Sequence, residues 1–287
     1  MADALTGKTE IDAVAEEFVS LRVQEVLTSQ MVVWPSLMDY SDQAGPGMDV
    51  IKIPRFSNFT VSTKSENTAV DAQINTMAAD SLALSTYEVV QFLVEDIASL
   101  QSKVGIISAY IDQAGKDMAA KMDNVILTAF DAGVSTSSPD HAIKFNDATN
   151  EDLEKVDILE ARKLLSVANV PQSERFAVIP PSQEKNLLNI SEFVRVDEAG
   201  ASMALRNGQI GKLFGFDVLV STQIPSGNPT ACYFYHKSAA AVARQLAPKI
   251  EQMRDLANLA DRWSISHIYG VKVVDSGKRL VQITETP

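Results

Sequence analysis

The sequence predicts an α+β protein whose elements are organised around one long helix. Over residues 96–130 the apolar positions recur every three or four residues, which keeps one face of a helix buried along its whole length. Two strand-like stretches rich in Val, Ile, Phe, Tyr and Thr precede this segment. After it, strand and helix patterns alternate, which is typical of an α/β lobe inserted after the helix.

The helical segment over 96–130, called the spine below, would extend about 50 Å if unbroken. Asp96 is its predicted N-cap, and Gly133 is its predicted end. Gly105 and Gly115 are unfavourable inside a helix, so each predicts a bend or the close approach of another backbone. A coiled-coil seam is the alternative, but paired charges do not recur beside the apolar face, so packing against a sheet is favoured. The predicted buried face consists of Ile97, Leu100, Val104, Ile107, Ile111, Ala114, Met118, Met122 and Val125.

Two arms precede the spine. The first is amphipathic from Thr9 and ends at the glycines of the Gly-Pro-Gly sequence at 45–47. The second contains predicted strands over 50–62 and 81–95, separated by the polar segment 63–80, which has no Gly or Pro for a tight turn. A long hairpin with a broad polar tip is the simplest interpretation. Because such an arm cannot bury both faces against its own chain, it lies on its own domain or reaches another subunit, and the second is favoured.

The segment after the spine alternates between helices and strands. A helix is predicted over 149–170, a buried strand over 176–179, a short helix from Ser182 and a strand over 216–220. The sequence PTACYFYHKSAAAVARQL is predicted to repeat the order of strand and then helix. Three strand-like runs over 261–285 end the chain, with breaks at Tyr269-Gly270 and at 275–277, where a hairpin turn is expected.

Composition limits the classes of function. The net charge of −12, with no cluster of Lys and Arg, argues against broad binding to nucleic-acid phosphates. The single cysteine, Cys232, lies among apolar and aromatic residues, which predicts a buried thiol and fits a reducing cytoplasm. The N-terminus lacks a basic start and an apolar core, and no segment approaches about 18 uncharged apolar residues, so we expect neither export nor membrane insertion.

The sequence predicts no catalytic, cofactor-binding or metal site. The histidines lie far apart, without a second ligand at helical spacing, and are expected to be structural. The glycines of NGQIGKLFGF match neither the phosphate-binding loop nor the dinucleotide fingerprint, and the serines lack a nucleophile-elbow motif. Met118 and Met122 are expected in the core. The other residues considered are His141, His236, His267, Ser182, Ser221 and Ser264.

The order of these segments resembles that of the major capsid proteins of tailed bacteriophages, whose fold is shared with encapsulins. The resemblance covers nearly the whole chain. The sequences that carry it are IPRFSNFTVS, LALSTYEVVQF, VEDIASLQS, VIPPSQEKNLL, NGQIGKLFGFDVLVS and DRWSISHIYGVKVV.

The resemblance implies the phage major-capsid fold, with an N-terminal arm, an extended β-hairpin loop, a peripheral domain containing the spine and an inserted α/β axial domain. The predicted boundaries are 1–47 for the N-terminal arm, 48–95 for the extended β-arm, 96–148 for the peripheral domain with the spine, 149–260 for the axial domain, 261–269 for a peripheral return strand and 270–287 for the C-terminal strands.

The resemblance also implies a function. Copies of the chain are expected to assemble through hexamers and pentamers into an icosahedral shell around phage double-stranded DNA. The shell would form in the host cytoplasm and become the capsid of the virion, without a membrane or cofactor. Packaged DNA would lie nearby without sequence-specific binding. Because the arm begins about ten residues from Met1, a scaffold would be a separate protein, and portal and decoration proteins are further candidate partners.

Two alternatives remain open from the sequence. An encapsulin-like compartment shell would share the fold but enclose proteins, and the presence of nucleic acid in native particles would distinguish the two. A soluble α/β enzyme would require a pocket with convergent polar groups, for which the sequence offers no candidate.

Overall fold

The computed structural model describes residues 22–27, 30–56, 59–67, 69, 72–74, 77–96, 106–146, 152–188 and 211–285. In chain order the strands are β1 (Met38–Asp39), β2 (Val50–Phe56), β3 (Met77–Ala83), β4 (Thr86–Glu95), β5 (Ala142–Lys144), β6 (Arg175–Ile179), β7 (Lys212–Leu213), β8 (Phe216–Val220), β9 (Cys232–His236), β10 (Ala240–Asp255), β11 (Ala260–Val273) and β12 (Leu280–Thr284). Helices in the described ranges include α1 (Ile106–Gly133), α2 (Lys155–Val167) and α3 (Pro181–Leu188), and residues 22–27 are also helical. The predicted α+β class is confirmed.

The strands form three sheets. The long sheet has the order β1-β10-β11-β4, and the lobe sheet has the order β5-β12-β9-β6-β8-β7. The arm is a separate hairpin of β2 and β3, paired from Val50 opposite Ala83 to Phe56 opposite Met77. Each large sheet contains both parallel and antiparallel pairs. The chain therefore links two mixed sheets and carries one hairpin outside both.

The spine is confirmed as a long helix that packs on a sheet. Residues 97–105, which include the predicted Gly105 bend, lie outside the described residues, and the described helix ends at Gly133 as predicted. Its buried face shares one core with Trp263 and Ile265 of β11 and with Tyr235 of β9. The spine therefore contacts both large sheets. The predicted core positions that are buried are Ile111, Ala114, Met118 and Met122.

The predicted close approach at Gly115 is confirmed. A Cβ atom at Gly115 would lie 3.1 Å from Cγ1 of Val26, because residues 22–27 cross the spine there. Arg22 reaches the same helix and donates to both carboxylate oxygens of Asp112, at 2.6 and 2.8 Å. The N-terminal segment is therefore attached to the spine beside this glycine.

Asp123 attaches the next part of the N-terminal segment to the spine. Its carboxylate accepts hydrogen bonds from the backbone N–H groups of Val32 at 2.9 Å and Val33 at 3.2 Å. The Asp123 residue is only 2% exposed, and burial raises the pKa of its carboxyl group. These bonds fix the point at which the chain leaves the spine and enters β1.

The Ala-rich sequence after β9 forms a strand, so the helix predicted there is wrong. β10 pairs with β1 on one side and with β11 on the other. Ala240 and Val242 face the core around the spine, whereas Ala241 and Ala243 face the base of the arm. Small side chains let both layers approach the sheet, and this packing overrides the local helix propensity of alanine.

Two expectations for the C-terminal segment are also wrong. β11 continues through Tyr269 and Gly270 without a break. The turn at Asp275–Gly277 is present, but it does not close a hairpin. β11 pairs with β10 and β4 in the long sheet, whereas β12 pairs with β5 and β9 in the lobe sheet. The turn therefore joins the two large sheets. Gly270 is required because a Cβ atom there would lie 2.2 Å from the carbonyl oxygen of Ala83 in the arm.

The second predicted arm strand, over 81–95, divides into two strands. β3 begins at Met77 and pairs with β2, whereas β4 begins at Thr86 and pairs with β11 of the long sheet. Backbone hydrogen bonding in the arm ends with the bond from the Leu84 N–H to the Asp49 carbonyl oxygen at 2.9 Å, and the next strand belongs to the long sheet. The sequence SLALSTYEVVQFLVE contains no Gly or Pro at the division, so the sequence pattern alone does not reveal it.

The lobe follows the predicted order for its first elements. The helix predicted over 149–170 is shorter, spanning Lys155–Val167, because residues 152–154 are not helical. Glu154 is its N-cap, and the Glu154 backbone N–H donates to the Asp157 carboxylate at 2.9 Å. Thr149 lies outside the described residues. The buried strand β6 and the short helix α3 are confirmed within one residue of the expected starts. α2 shares a core with β6, β9 and β12.

We predict that Gly270→Ala lowers the free energy of unfolding by about 1–3 kcal/mol, since the new methyl group overlaps backbone and not a flexible side chain. Gly227→Ala is the matched control, because a Cβ atom there has nothing within 4 Å, and we expect a change within about 0.5 kcal/mol. Chemical denaturation of both variants measures the difference. Equal stability of the two variants would contradict the close contact between arm and sheet.

We predict that Asp123→Ala lowers the free energy of unfolding by about 2–4 kcal/mol, because it leaves two backbone donors without an acceptor. Asp123→Asn keeps one acceptor oxygen and should cost about 1 kcal/mol. Asp117→Ala changes an exposed residue of the same helix and serves as the control. Similar losses for Asp117→Ala and Asp123→Ala would contradict the anchoring role.

The raised pKa of Asp123 also predicts a pH dependence. The native state binds a proton at this carboxyl group at a higher pH than the unfolded state does, so the group stabilises the native state as pH falls through its folded pKa. The free energy of unfolding of the wild type relative to Asp123→Asn should therefore rise as the solution is acidified toward the ordinary Asp range. A constant difference across that range would show that the folded pKa is not raised.

Candidate assembly surfaces

The base of the arm is fixed on its own chain. Ile51 and Ile53 of β2 and Leu82 of β3 are buried in one cluster with Ala241 and Ala243 of β10. This cluster lies on the face of the long sheet opposite the spine, because Ala240 and Val242 point to the other side. The arm therefore starts from a packed layer.

A polar anchor supports this base. Arg55 Nη1 lies 3.6 Å from Asp275 Oδ1 and donates to Ser276 Oγ at 3.3 Å. The backbone N–H of Asp275 donates to Asp80 Oδ2 at 3.0 Å. Both arm strands thus contact the turn that joins the two large sheets, which sets the direction in which the arm leaves the body.

The distal half of the arm exposes large apolar side chains. Its described loop residues are cross-linked, since the Gln73 side chain accepts from the backbone N–H of Thr60 at 2.9 Å and donates to its carbonyl oxygen at 2.5 Å. The predicted polar tip is found at residues 63–67, which are polar and exposed, and apolar side chains lie on both sides of it. An apolar surface of this kind on a fixed hairpin is typical of an interaction site. The exposed residues are Phe56 (66%), Phe59 (68%), Val61 (95%), Ile74 (97%) and Met77 (65%).

The far end of the long sheet carries a second exposed apolar surface, at the turn over 256–259. Leu256 and Leu259 are 78% and 63% exposed. The Asp255 carboxylate accepts from the backbone N–H of Ala257 at 3.0 Å and from the side chain of Asn258 at 3.1 Å, and these bonds lower its pKa. The turn is therefore held in one conformation while its leucines face solvent.

Ion pairs hold the strands below this turn. Arg254 donates to the Asp96 carboxylate at 2.6 Å and lies 3.2 Å from Asp261, and Arg262 lies 3.0 Å from Asp255. Asp96 was the predicted N-cap of the spine. Its carboxylate instead contacts Arg254, which holds the pKa of Asp96 below its usual range, and the residues it would cap lie outside the described ranges.

The sequence did not predict this turn, because the Ala-rich start of β10 favours a helix. The Asp and Asn at 255 and 258 are a turn signal that could have located it, because their side chains bond to nearby backbone groups.

β4 forms an edge of the long sheet with one exposed apolar face. It is last in the strand order, and its described residues pair only with β11. Tyr87, Val89 and Leu93 point away from the spine and are exposed, whereas Val90 and Phe92 pack against the spine core. A long edge strand of this kind presents unpaired backbone groups beside an apolar face, which favours association.

The three histidines have structural contacts. His141 Nδ1 lies 2.9 Å from the carbonyl oxygen of Leu280, and His236 Nδ1 lies 2.8 Å from Ser238 Oγ. His267 is buried with its Nε2 3.2 Å from Glu88 Oε2. Across the described ranges, no group of three or more His, Cys, Asp or Glu side chains is arranged to hold a metal ion.

The remaining candidates also occupy structural positions. Cys232 is buried as predicted, and burial raises the pKa of its thiol. Ser221 Oγ accepts from the backbone N–H of Gln223 at 3.2 Å, and Ser264 Oγ lies 3.4 Å from the Gln91 amide. Gly215, with φ of 89°, lies in the turn between β7 and β8. In the part of the chain that is described, no helix is long and apolar enough to span a bilayer.

Comparison with solved structures shows the same fold in capsids. A structure from Mycobacterium phage Che8 is 24% identical, with a TM-score of 0.73 over 89% of this chain and 92% of that chain. The capsid structure of the cyanophage P-SCSP1u is 15% identical, with a TM-score of 0.71 over 89% and 88%. A virus-like particle from Pyrococcus furiosus is 10% identical, with a TM-score of 0.62 over 94% and 99%.

Sequence comparison identifies the family. Comparison with curated proteins gives no match. The family model described as phage capsid protein matches residues 79–281, which include the spine, strands β4, β10 and β11 of the long sheet and most of the lobe. This match covers well over half of the chain, and the solved capsids share its fold. The chain belongs to the phage capsid protein family.

Proposed function

We propose that copies of this chain assemble through hexamers and pentamers into an icosahedral shell that encloses phage double-stranded DNA. The observation that carries the proposal is the arm. Its base is buried on the long sheet, whereas Phe59, Val61 and Ile74 beyond the base are more than two-thirds exposed. Contact with another copy would remove this apolar surface from water and would explain why the chain fixes the arm at only one end.

The charge of the chain is compatible with a shell around DNA. A net charge of −12 gives little attraction for phosphates over the protein as a whole, so DNA would lie inside without sequence-specific binding. Weak attraction would also favour loading and release of the genome. Assembly in the host cytoplasm, with a separate scaffolding protein, a portal and decoration proteins as candidate partners, belongs to the same proposal. The family match favours this structural role over the enzyme alternative.

A protein compartment is the second candidate. The similarity to the virus-like particle from Pyrococcus furiosus extends over 94% of this chain, which supports a shell but leaves its contents open. Native particles treated with nuclease and then opened distinguish the two functions. Protected double-stranded DNA of uniform length would support the phage shell, whereas enclosed protein without nucleic acid would support the compartment.

We predict that combined replacement of Phe59, Val61 and Ile74 by Ser leaves folding intact and prevents particle formation. All three side chains are strongly exposed, so their loss should change the free energy of unfolding by no more than about 0.5 kcal/mol. Each contact between copies repeats throughout a symmetric shell, so a small loss of association free energy at each contact adds up to a large loss for the whole particle. Chemical denaturation measures the free energy of unfolding, and analytical sedimentation measures particle formation.

The control replaces Ser62 and Ser65 by Ala, which changes exposed residues of the same arm without removing apolar surface. This control should form particles at the same protein concentration as the wild type. Normal particles from the triple Ser variant would show that the arm makes no essential contact. Unfolding of that variant would show that the arm belongs to the core of its own chain.

A further inference from the structure

A groove of about 810 Å³ lies under the arm, on the face of the long sheet opposite the spine. Ile53 and Phe56 of the arm form one wall, and Ala241 of β10 lies in the floor. The turn over 275–279 and the loop at Asn169 close the other side. The volume of the groove lies within the range of about 300–1,000 Å³ that is usual for small-molecule sites.

The cations of the groove are gathered around one carboxylate. Arg55 Nη1 lies 3.6 Å from Asp275 Oδ1, and Arg279 Nε lies 3.3 Å from Asp275 Oδ2. Lys278 lines the same side, is exposed and forms no ion pair with a described residue. Three positive charges beside one negative charge leave a net charge of +2, in a chain whose total charge is −12. The groove is therefore a local anion site in an acidic protein.

Hydrogen-bond donors remain on this side of the groove. A guanidinium group carries five N–H donors, and the contacts with described residues use only Nη1 of Arg55 and the Nε and Nη1 atoms of Arg279. Arg279 also donates to Ser238 Oγ at 2.6 Å, which fixes its guanidinium group beside the groove. The other N–H groups and the Lys278 ammonium group can donate to an oxyanion, and such charge-assisted bonds are about twice as strong as neutral ones.

The lining contributed by the arm and β1 is mostly apolar and aromatic. Phe56 and Tyr40 lie in this part of the groove with Met38, and Phe56 and Met38 are 66% and 38% exposed. Aromatic side chains provide flat faces on which a heteroaromatic ring can stack. The groove therefore combines a cationic side with an aromatic and apolar side.

This arrangement favours a ligand with one concentrated negative charge and a flat body. A peptide with several separate carboxylates would need cations spread along the groove, whereas Arg55 and Arg279 meet at one point, Asp275. A nucleoside monophosphate has the required form. Its phosphate carries about −1.5 to −2 charge at pH 7, which matches the charge of the groove, and its base is a flat ring.

We infer that the groove under the arm binds a nucleoside phosphate. The phosphate lies against Arg55, Lys278 and Arg279, and the base lies against Phe56 and Tyr40. A free nucleotide and the 5′-phosphate end of a DNA strand share this chemistry. The inference does not depend on the proposed assembly, because the groove is formed within a single chain. A bound nucleotide contacts both the arm and the turn over 275–279, so it stabilises the arm in its present orientation.

Calorimetric titration of the unassembled full-length chain with 2′-deoxyadenosine 5′-monophosphate tests the inference. We expect saturable binding, and we expect inorganic phosphate and deoxyadenosine each to bind at least about tenfold more weakly, because each makes only part of the contacts. The temperature of thermal unfolding should rise with the nucleotide concentration, since the ligand binds the native state.

Two variants test the two sides of the groove. Lys278→Glu reverses a charge without breaking the pairs of Asp275, and Phe56→Ser removes an exposed aromatic face. Each should weaken nucleotide binding about tenfold. The matched controls are Lys121→Glu on the spine and Leu256→Ser at the far end of the long sheet, which are exposed and lie outside the groove. Both controls should bind as the wild type does, and thermal unfolding without nucleotide verifies that every variant is folded.

Three results would overturn the inference. The first is no saturable binding of the nucleotide, and the second is unchanged affinity in Lys278→Glu or Phe56→Ser, which would place the binding elsewhere. The third is inorganic phosphate or a polyglutamate peptide binding as tightly as the nucleotide, which would show that the groove recognises no base.

Oligonucleotides identify the source of the nucleoside phosphate. If a single strand with a 5′-phosphate binds more tightly than both the free nucleotide and the same strand with a 5′-hydroxyl, the site takes a strand end. If the free nucleotide binds more tightly than either strand, the site takes the free nucleotide, and both results support the inference. Since these measurements need no particles, the inference can fail while the proposed function stands, and the proposed function can fail while the inference stands.

Discussion

Burial of the spine between two sheets is the constraint on which the rest of the structure depends. Phe130 near the end of α1 contacts the rings of Tyr233 and Tyr235 in the lobe sheet, with centroids 6.0 and 5.0 Å apart, while Trp263 of the long sheet belongs to the same core. Asp131 adds a hydrogen bond between the spine and β12 of the lobe sheet, since its Oδ1 accepts from the side-chain amide of Gln282 at 2.6 Å. Because one helix supplies the core for both sheets, the two cannot shift relative to each other without exposing that core.

This rigidity explains the contrast between the body and its extensions. The arm starts from a packed base, and Gly270 lets that base approach the sheet to backbone contact. Beyond the base, apolar side chains are exposed, as they are at the turn over 256–259. The buried contacts that stabilise the fold therefore lie outside the distal arm and the 256–259 turn, and the apolar surface exposed at these two places is available for contacts with other copies. A shell subunit needs this separation, because it must fold as a monomer and still present the same surfaces to every neighbour.

The parts predictable from sequence are those in which local pattern and packing agree. The spine, the buried strand β6 and the short helix after Pro180 follow directly from apolar spacing and from proline. The strand β10 could not be predicted from its Ala-rich sequence. Its alanines form a strand because they pack against layers on both faces of the sheet, Ala240 against the spine and Ala241 against the arm. Gly270 resembles a strand break in sequence, but its role depends on Ala83, a residue distant in the chain. The assembly surfaces have no chemical motif, and their apolar residues are informative only once exposure is known.

If copies of the chain assemble through the arm, the exposed half of the arm becomes buried by another copy. Hydroxyl-radical footprinting of the full-length chain, before and after particle formation, measures this directly at Phe56, Phe59 and Met77, which are each about two-thirds exposed in the single chain. Labelling of these three side chains should fall sharply in particles, while labelling of the buried Met118 and Met122 should stay low in both states. Undiminished labelling of the arm in intact particles would show that no other copy covers it.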